Sequence, residues 1–234
     1  MTTRKAYTDP TLVDEYGGRH FGGAGGQYVV RKDCGIIADI LAADPGMLLD
    51  VPCGTGVYSE EFKARGWRAV AADAALPMLR KAASERQGQL CVQCDANNLP
   101  FADATFDAIV TIRLFQHLTK LETTEILCEL SRVLKPYGVL IFDTFGWTPR
   151  RLLRRKGEMH TYSPAAVRRM VAQAGLCVSQ ARASYLFSPL AYRRLPAAIL
   201  RGLDFFERLL PDRWLLRTFW ACTKRSTLRS EVHS

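Results

Sequence analysis

Apolar and polar positions alternate along this chain in two rhythms. Short apolar runs end in an acid or a turn, and the stretches between them repeat apolar residues at helical spacing. The runs predict strands at Met47–Val51, Ala69–Asp73, Leu90–Asp95, Phe106–Ile112 and Val139–Thr144. Helices are predicted between them, near 57–65, 75–87 and 120–134. The third has a start signal: Thr119 and Glu122 form a capping box, in which each side chain satisfies an orphan N–H of the other residue. Lys135-Pro136-Tyr137-Gly138 reads as a turn into the fifth strand. Apolar strands separated by helices predict a parallel sheet covered on both faces.

The flanks follow other patterns. Residues 31–43 place Ile36, Ile37, Ile40 and Leu41 at helical spacing. Residues 1–30 carry tyrosines and the glycine clusters Gly17-Gly18 and Gly22-Gly23-Ala24-Gly25-Gly26, and predict a flexible lid segment ahead of a single domain at 31–234. After Phe145 the rhythm changes. Ser163-Pro164 supplies an N-cap and a first-turn proline, and Gly175 ends that helix. Leu176–Phe187 and Leu215–Lys224 read as strands. Between them, residues 188–213 are too long for a plain hairpin loop and predict a helical insert. There Ile199, Leu203, Phe206 and Leu210 fall on one face, and Arg194, Arg201 and Arg208 recur on the other.

Length and composition fit this picture. A chain of 234 residues, 48% of them hydrophobic, suits one domain with a full core. It has no apolar run of about 18 residues, as a spanning helix would need. Its first residues lack the apolar core of a signal peptide, so a cytoplasmic protein is expected. Most of the seven cysteines sit in apolar runs, as reduced structural thiols do. Cys91 and Cys94 form a lone CxxC that reads as part of a strand; no second ligand pair has zinc spacing, and no metal is expected. Charge divides the chain. Residues 1–148 hold 15 Lys+Arg against 18 Asp+Glu, or −3, whereas residues 149–234 hold 17 against 5, or +12. A basic C-terminal third implies an anionic partner: a phosphorylated substrate, an acidic lipid surface or nucleic acid.

Chemistry concentrates at the end of the first strand, in Asp50-Val51-Pro52-Cys53-Gly54-Thr55-Gly56. A tight glycine turn after a parallel strand lets backbone N–H groups and a helix N-terminus approach a ligand. The third glycine of a dinucleotide loop is absent, as is the Gly-Lys-Ser/Thr of a P-loop, which disfavours a pyrophosphate ligand.

The loop resembles that of class I S-adenosylmethionine (SAM) dependent methyltransferases, in particular the UbiE-like "methyltransferase 11" group. Their acid-x-Gly-x-Gly-x-Gly signature is matched from Asp50 to Gly56, with Pro52 in place of the first glycine. Further matches follow in order: Asp73, Asp95-Ala96, Leu99-Pro100-Phe101 with Phe106-Asp107, and Glu129 to Gly138 for the family's E-x-x-R-V-L-K-P-G-G. The resemblance covers about residues 45–145 strongly and 160–187 and 215–225 more loosely. It implies a Rossmann-like α/β fold: seven strands, mostly parallel, helices on both faces, the last strand antiparallel. It also implies SAM as cofactor and S-adenosylhomocysteine as product. By the same resemblance Asp73 grips the ribose hydroxyls, and a carboxylate suits a diol because it accepts two hydrogen bonds. Asp95 and Ala96 read the adenine. Pro52, Cys53, Gly54, Gly56, Ala74, Met78, Arg113 and Tyr16 complete the cofactor-contacting set. The stretch Arg113-Leu114-Phe115-Gln116-His117-Leu118 lines the methyl-transfer side, where Arg113 would position an anionic acceptor and His117 would act as general base. His20 and His160 are rival bases, and Tyr7, Tyr16 and Tyr28 would either close over the cofactor or pack.

These residues predict transfer of a methyl group to a small acceptor, apolar and lipid-like or anionic, at O, N or C. Two alternatives remain. The basic C-terminal third suits an RNA methyltransferase, although no RNA-binding module or Asn/Asp-Pro-Pro-Tyr tetrad is present. A non-catalytic SAM-binding protein would keep the same fold.

Overall fold

The computed structural model describes residues 13, 23–41, 44–146, 159–187, 189–192 and 195–225. The strands are β1 (Met47–Asp50), β2 (Arg68–Asp73), β3 (Leu90–Gln93), β4 (Phe106–Thr111), β5 (Leu134–Phe145), β6 (Leu176–Ser184) and β7 (Arg217–Lys224). They form one sheet in the order β3-β2-β1-β4-β5-β7-β6. β1 to β5 are parallel, and β7 runs antiparallel to both β5 and β6. The chain winds outward from β1 to β3, then returns to β4 on the other side. A crevice therefore opens at the carboxyl ends of β1 and β4, where open α/β sheets bind ligands.

The helices are α1 (Gly23–Leu41), α2 (Val57–Ala64), α3 (Leu76–Glu85), α4 (Lys120–Val133), α5 (Pro164–Gln173), the short α6 (Pro189–Tyr192) and α7 (Ala197–Leu209). Successive strand residues point to opposite faces. Leu49, Ile109 and Leu140 pack with Ile126 and Leu130 of α4 and Val167 of α5. Their neighbours Leu48, Val110 and Ile141 pack with Val30 and Ile37 of α1 and Phe62 of α2. Burial on both faces explains why these strands read as continuous apolar runs.

The motif residues between β3 and β5 hold one another. Arg132 donates to the Leu99 carbonyl at 3.0 Å, the Phe101 carbonyl at 2.9 Å and the Glu129 carboxylate at 2.8 Å. Glu129 in turn accepts the Leu99 N–H at 2.8 Å. The capping box of α4 is formed, with Glu122 accepting the Thr119 N–H at 2.7 Å. Residues 135–138 bulge out of β5, whose pairing jumps from Phe106↔Leu134 to Ala108↔Val139.

One buried polar set crosses the layers. Arg217, 0% exposed, donates to Asp143 on β5 at 2.9 Å and to both oxygens of Asp33 on α1 at 3.0 Å. Asp33 also accepts the hydroxyls of Tyr58 at 2.7 Å and Tyr185 at 2.5 Å. The two carboxylates hold the guanidinium charged against its burial.

Three expectations change. Helix α1 begins at Gly23, not near residue 31, so Gly25 and Gly26 are buried helical residues and not part of a loose lead-in. Lacking side chains, they let neighbouring elements approach. In α7, Ile199 and Phe206 are exposed, and Leu200 and Glu207 are buried instead. The cause is electrostatic: Lys32 on α1 holds Asp204 at 2.6 Å and Glu207 at 2.7 Å, turning that side of the helix inward. The predicted arginine face, Arg194, Arg201 and Arg208, falls outside the described side chains. Cys128 and Cys177 are exposed, and Cys91 and Cys94 are half-buried beside the sheet edge.

At Gly138 an added Cβ would come within 2.7 Å of Leu134 Cδ1 and 2.9 Å of the Asp107 carbonyl oxygen. Gly138→Ala should lower folding stability by about 1–3 kcal/mol in urea titrations. Gly35→Ala, in helix α1 with open space around it, should leave stability unchanged or raise it.

Candidate functional site

The glycine turn after β1 is pinned from both sides. Val51 N–H donates to the Val110 carbonyl at 3.0 Å, and Cys53 N–H to the Ala72 carbonyl at 2.8 Å. Gly54 and Gly56 have φ of 54° and 74°, the left-handed region that a side chain resists. The two glycines are required for different reasons. A Cβ at Gly56 would press on Ala82 of α3 at 3.1 Å, whereas one at Gly54 would project into open space. Gly56 allows packing; Gly54 leaves room for a ligand.

Three acids stand along the carboxyl edge beside that turn. Asp50 ends β1 and accepts the Ser59 hydroxyl at 2.5 Å, while its Oδ1 is buried without a partner. Burial pushes its carboxyl up to about 7, the nearby Asp73 adding to the rise. Asp73 ends β2. It accepts Gly54 N–H and Ala75 N–H, each at 2.8 Å, and burial raises its carboxyl despite these bonds. Asp95 follows β3, is exposed, and shapes its turn by accepting Asn97 N–H at 2.9 Å. Ala96 beside it is half-buried.

The second half of the edge follows β4. Arg113 has φ 62°, held by its N–H donating to Asp143 at 2.6 Å. Strained backbone of this kind persists only where surroundings fix it, and it clusters at functional sites. Residues Phe115–His117 form a 3-10 turn. Gln116 Nε2 lies 3.0 Å from His117 Nε2. Burial lowers the His117 imidazole below its ordinary value, so it is neutral near pH 7. His160 arrives from the segment before α5, its N–H donating to the Gln116 carbonyl at 2.7 Å. Tyr162 anchors that segment by donating to the Leu118 carbonyl.

The structure thus brings together Asp50, Pro52, Cys53, Gly54, Gly56, Asp73, Asp95 and Ala96 on one side, and Arg113, His117 and His160 on the other. Cys53 packs its buried side chain with Ala71 and Leu79, and its thiol donates to the Gly54 carbonyl at 3.5 Å. Ala74 is exposed, and Met78 is buried against Val13 and Ala75. Tyr28 does not close over the turn; its ring stacks on Tyr192 at 6.3 Å and its hydroxyl donates to the Leu200 carbonyl at 3.3 Å. Tyr7, Tyr16 and His20 lie outside the described residues.

Sequence reasoning missed Thr55, Ser59, Thr111 and Gln116. Of the seven buried side-chain polar atoms without hydrogen-bond partners among the described residues, four, Asp50 Oδ1, Thr55 Oγ1, Thr111 Oγ1 and Gln116 Oε1, belong to the ends of β1 and β4 or the turns that follow. Buried polar atoms are normally bonded, so their gathering at the crevice marks a place for a polar ligand. The available signal was a polar residue closing an apolar strand, as Thr111 does.

Comparisons agree with this geometry. Residues 49–142 match the methyltransferase domain family. Demethylmenaquinone methyltransferase from Thermobifida fusca is 36% identical over 124 residues, 51% of this chain and 52% of that protein. Malonyl-[acyl-carrier protein] O-methyltransferase from Pseudescherichia vulneris is 37% identical over 112 residues, 46% of this chain and 44% of that protein. The chain therefore spans about half the length of the curated relatives it matches. Magnesium protoporphyrin IX methyltransferase from Synechocystis PCC 6803, with bound SAH, superposes with a TM-score of 0.66 over 95% of this chain and 97% of its own, at 15% identity. That likeness is one of fold.

The raised Asp50 carboxyl has a consequence for stability. Its folded value of about 7 exceeds the ordinary 3.8, so the folded chain holds a proton that the unfolded chain releases. Stability contributed here is full at low pH and falls as pH rises from about 4 to about 7. Asp50→Asn should flatten that part of the curve when melting temperature is measured from pH 4 to pH 8.

Proposed function

We propose that this chain, whose residues 49–142 match the methyltransferase domain family, is a class I, UbiE-like enzyme that transfers the methyl group of SAM to a small acceptor. The observation that carries this reading is the crevice at β1 and β4, where partnerless buried polar atoms and the open side of Gly54 adjoin a row of three acids. The residues present fit the cofactor. Asp73 would hold the ribose hydroxyls and Asp95 with Ala96 the adenine. The backbone of Pro52, Cys53, Gly54 and Gly56 would hold the methionine end, with the Asp50 carboxyl beside that turn. Ala74 and Met78 would border the ribose, and Arg113 would complete the enclosure among the described residues. When bound, SAM supplies a methyl group already activated by its sulfonium.

The chain's own residues then have positioning work. Alignment of donor and acceptor within about 3–3.5 Å and exclusion of water are the main demands. A base is needed only where the acceptor loses a proton. His117, neutral near pH 7, accepts that proton, and Arg113 orients an anionic acceptor. Acceptors of the two curated relatives, demethylmenaquinone and malonyl-acyl carrier protein by their names, span the apolar and acidic types expected here. The basic C-terminal third, +12 over residues 149–234, draws the protein to an acidic membrane surface where a lipid-like acceptor would reside.

Calorimetric titration of SAM and S-adenosylhomocysteine tests the cofactor half. Asp73→Ala should weaken SAM binding about 10- to 100-fold, the loss expected for charge-assisted hydrogen bonds. Absence of SAM binding by the unaltered chain at millimolar cofactor would overturn the reading. Acceptors are then screened by S-adenosylhomocysteine release. His117→Ala should lower kcat about 100-fold or more on an acceptor that gives up a proton, with SAM affinity unchanged. Methylated RNA as the product would replace the small-acceptor reading.

A further inference from the structure

Helix α7 is amphipathic in an unusual sense: acidic residues help fasten its inner side to the domain, and large apolar residues stand on its outer side. Leu200, Leu203, Asp204 and Glu207 form one helical stripe. Leu200 and Glu207 are buried, at 2% and 7% exposure. Glu207 is the fastener. Its carboxylate accepts Lys32 Nζ at 2.7 Å, Ser184 Oγ at 3.2 Å, Tyr185 N–H at 3.0 Å, Leu186 N–H at 3.1 Å and the Tyr192 hydroxyl. Asp204 adds a second bond to Lys32 at 2.6 Å. These bonds leave the helix no rotation that would bury its other side.

That other side is Ile199, Gly202, Phe205, Phe206 and Leu209. Phe205, Phe206 and Leu209 are 63%, 59% and 66% exposed, and Ile199 is 49% exposed. Trp214, in the turn that follows, is 55% exposed. A soluble helix normally spends such residues on a core.

We propose that this face of α7 is a docking surface for an anionic lipid bilayer, with Phe205, Phe206 and Leu209 entering the headgroup–acyl boundary and Trp214 at its edge. Charge selects the bilayer over other partners. Residues 188–216 contain five arginines against Asp204, Glu207 and Asp212, and two of those three acids are occupied by Lys32. The segment that bears the apolar face is therefore net positive by sequence, and Arg213 is exposed beside Trp214. Apolar residues that insert, a tryptophan at the boundary and a basic surround are the components of an interfacial helix. The inference rests on the membrane-surface part of the proposed function and not on methyl transfer.

Co-sedimentation with vesicles tests it, using the full chain. Vesicles rich in phosphatidylglycerol should bind the protein, and pure phosphatidylcholine vesicles should bind it at least tenfold less. Phe205→Ser/Phe206→Ser/Leu209→Ser should lower partition into the acidic vesicles at least tenfold. These side chains are exposed, and SAM titration of the same variant reports whether the domain is intact. If the unaltered chain ignores acidic vesicles, both the membrane-surface reading and this inference fall. If it binds them and the triple variant binds equally, only the assignment to α7 falls. If the unaltered chain is a dimer in light scattering and the triple variant a monomer with unchanged vesicle binding, the face joins two copies and the inference is overturned.

Discussion

The buried charge of Arg217 is the constraint on which much of this structure depends. A guanidinium removed from water is tolerated where opposite charge matches it. Here Asp33 and Asp143 supply the charge, and the rings of Tyr185 and Phe219 flank it at 5.2 and 4.8 Å, although Nη2 stays buried without a partner. Matching this charge fixes α1 against β5 and β7. Because Asp33 also accepts from Tyr58, it fixes α2 as well. Losing one partner of such a set costs on the order of 3–5 kcal/mol, since the others remain buried and unmatched.

The same set reaches the crevice. Asp143 divides its two oxygens between Arg217 and the backbone N–H of Arg113. The strained residue after β4 is therefore held from beneath by the domain interior. The β1 side is braced differently, through backbone bonds to β4 and β2 and through Asp73, which spans from β2 to Gly54. One half of the crevice depends on bonds to the strands that flank β1. The other depends on a strand more than 70 residues downstream, since Asp143 and Arg217 are 74 apart.

This difference explains what could be read from sequence. The strands, the capping box at Thr119 and the loop from Asp50 to Gly56 are local patterns, and each appears where its residues predict it. Asp50, Asp73 and Asp95 were legible because each closes or follows an apolar run. The brace under Arg113 was not, because nothing near Asp33, Asp143 or Arg217 indicates that they meet. Helix α7 was misread for a related reason. Its apolar periodicity is real, but a lysine on α1 decides which side faces the domain. Likewise the glycines at the start of α1 suggest looseness until their burial shows close packing.

The order of strands divides the sheet into two territories. Residues 49–142, the stretch that matches the methyltransferase domain family, run from β1 into β5 and carry the acid-and-glycine edge. β6, α6, α7 and β7 lie beyond that stretch, at the far side of β5. β6 and β7 are bonded to each other along their length, so the helices between them hang from a finished hairpin. Yet this hairpin is no detachable appendage: Arg217 on β7 holds Asp143, and Asp143 holds the backbone of Arg113, so a shift in the hairpin would be felt at the crevice.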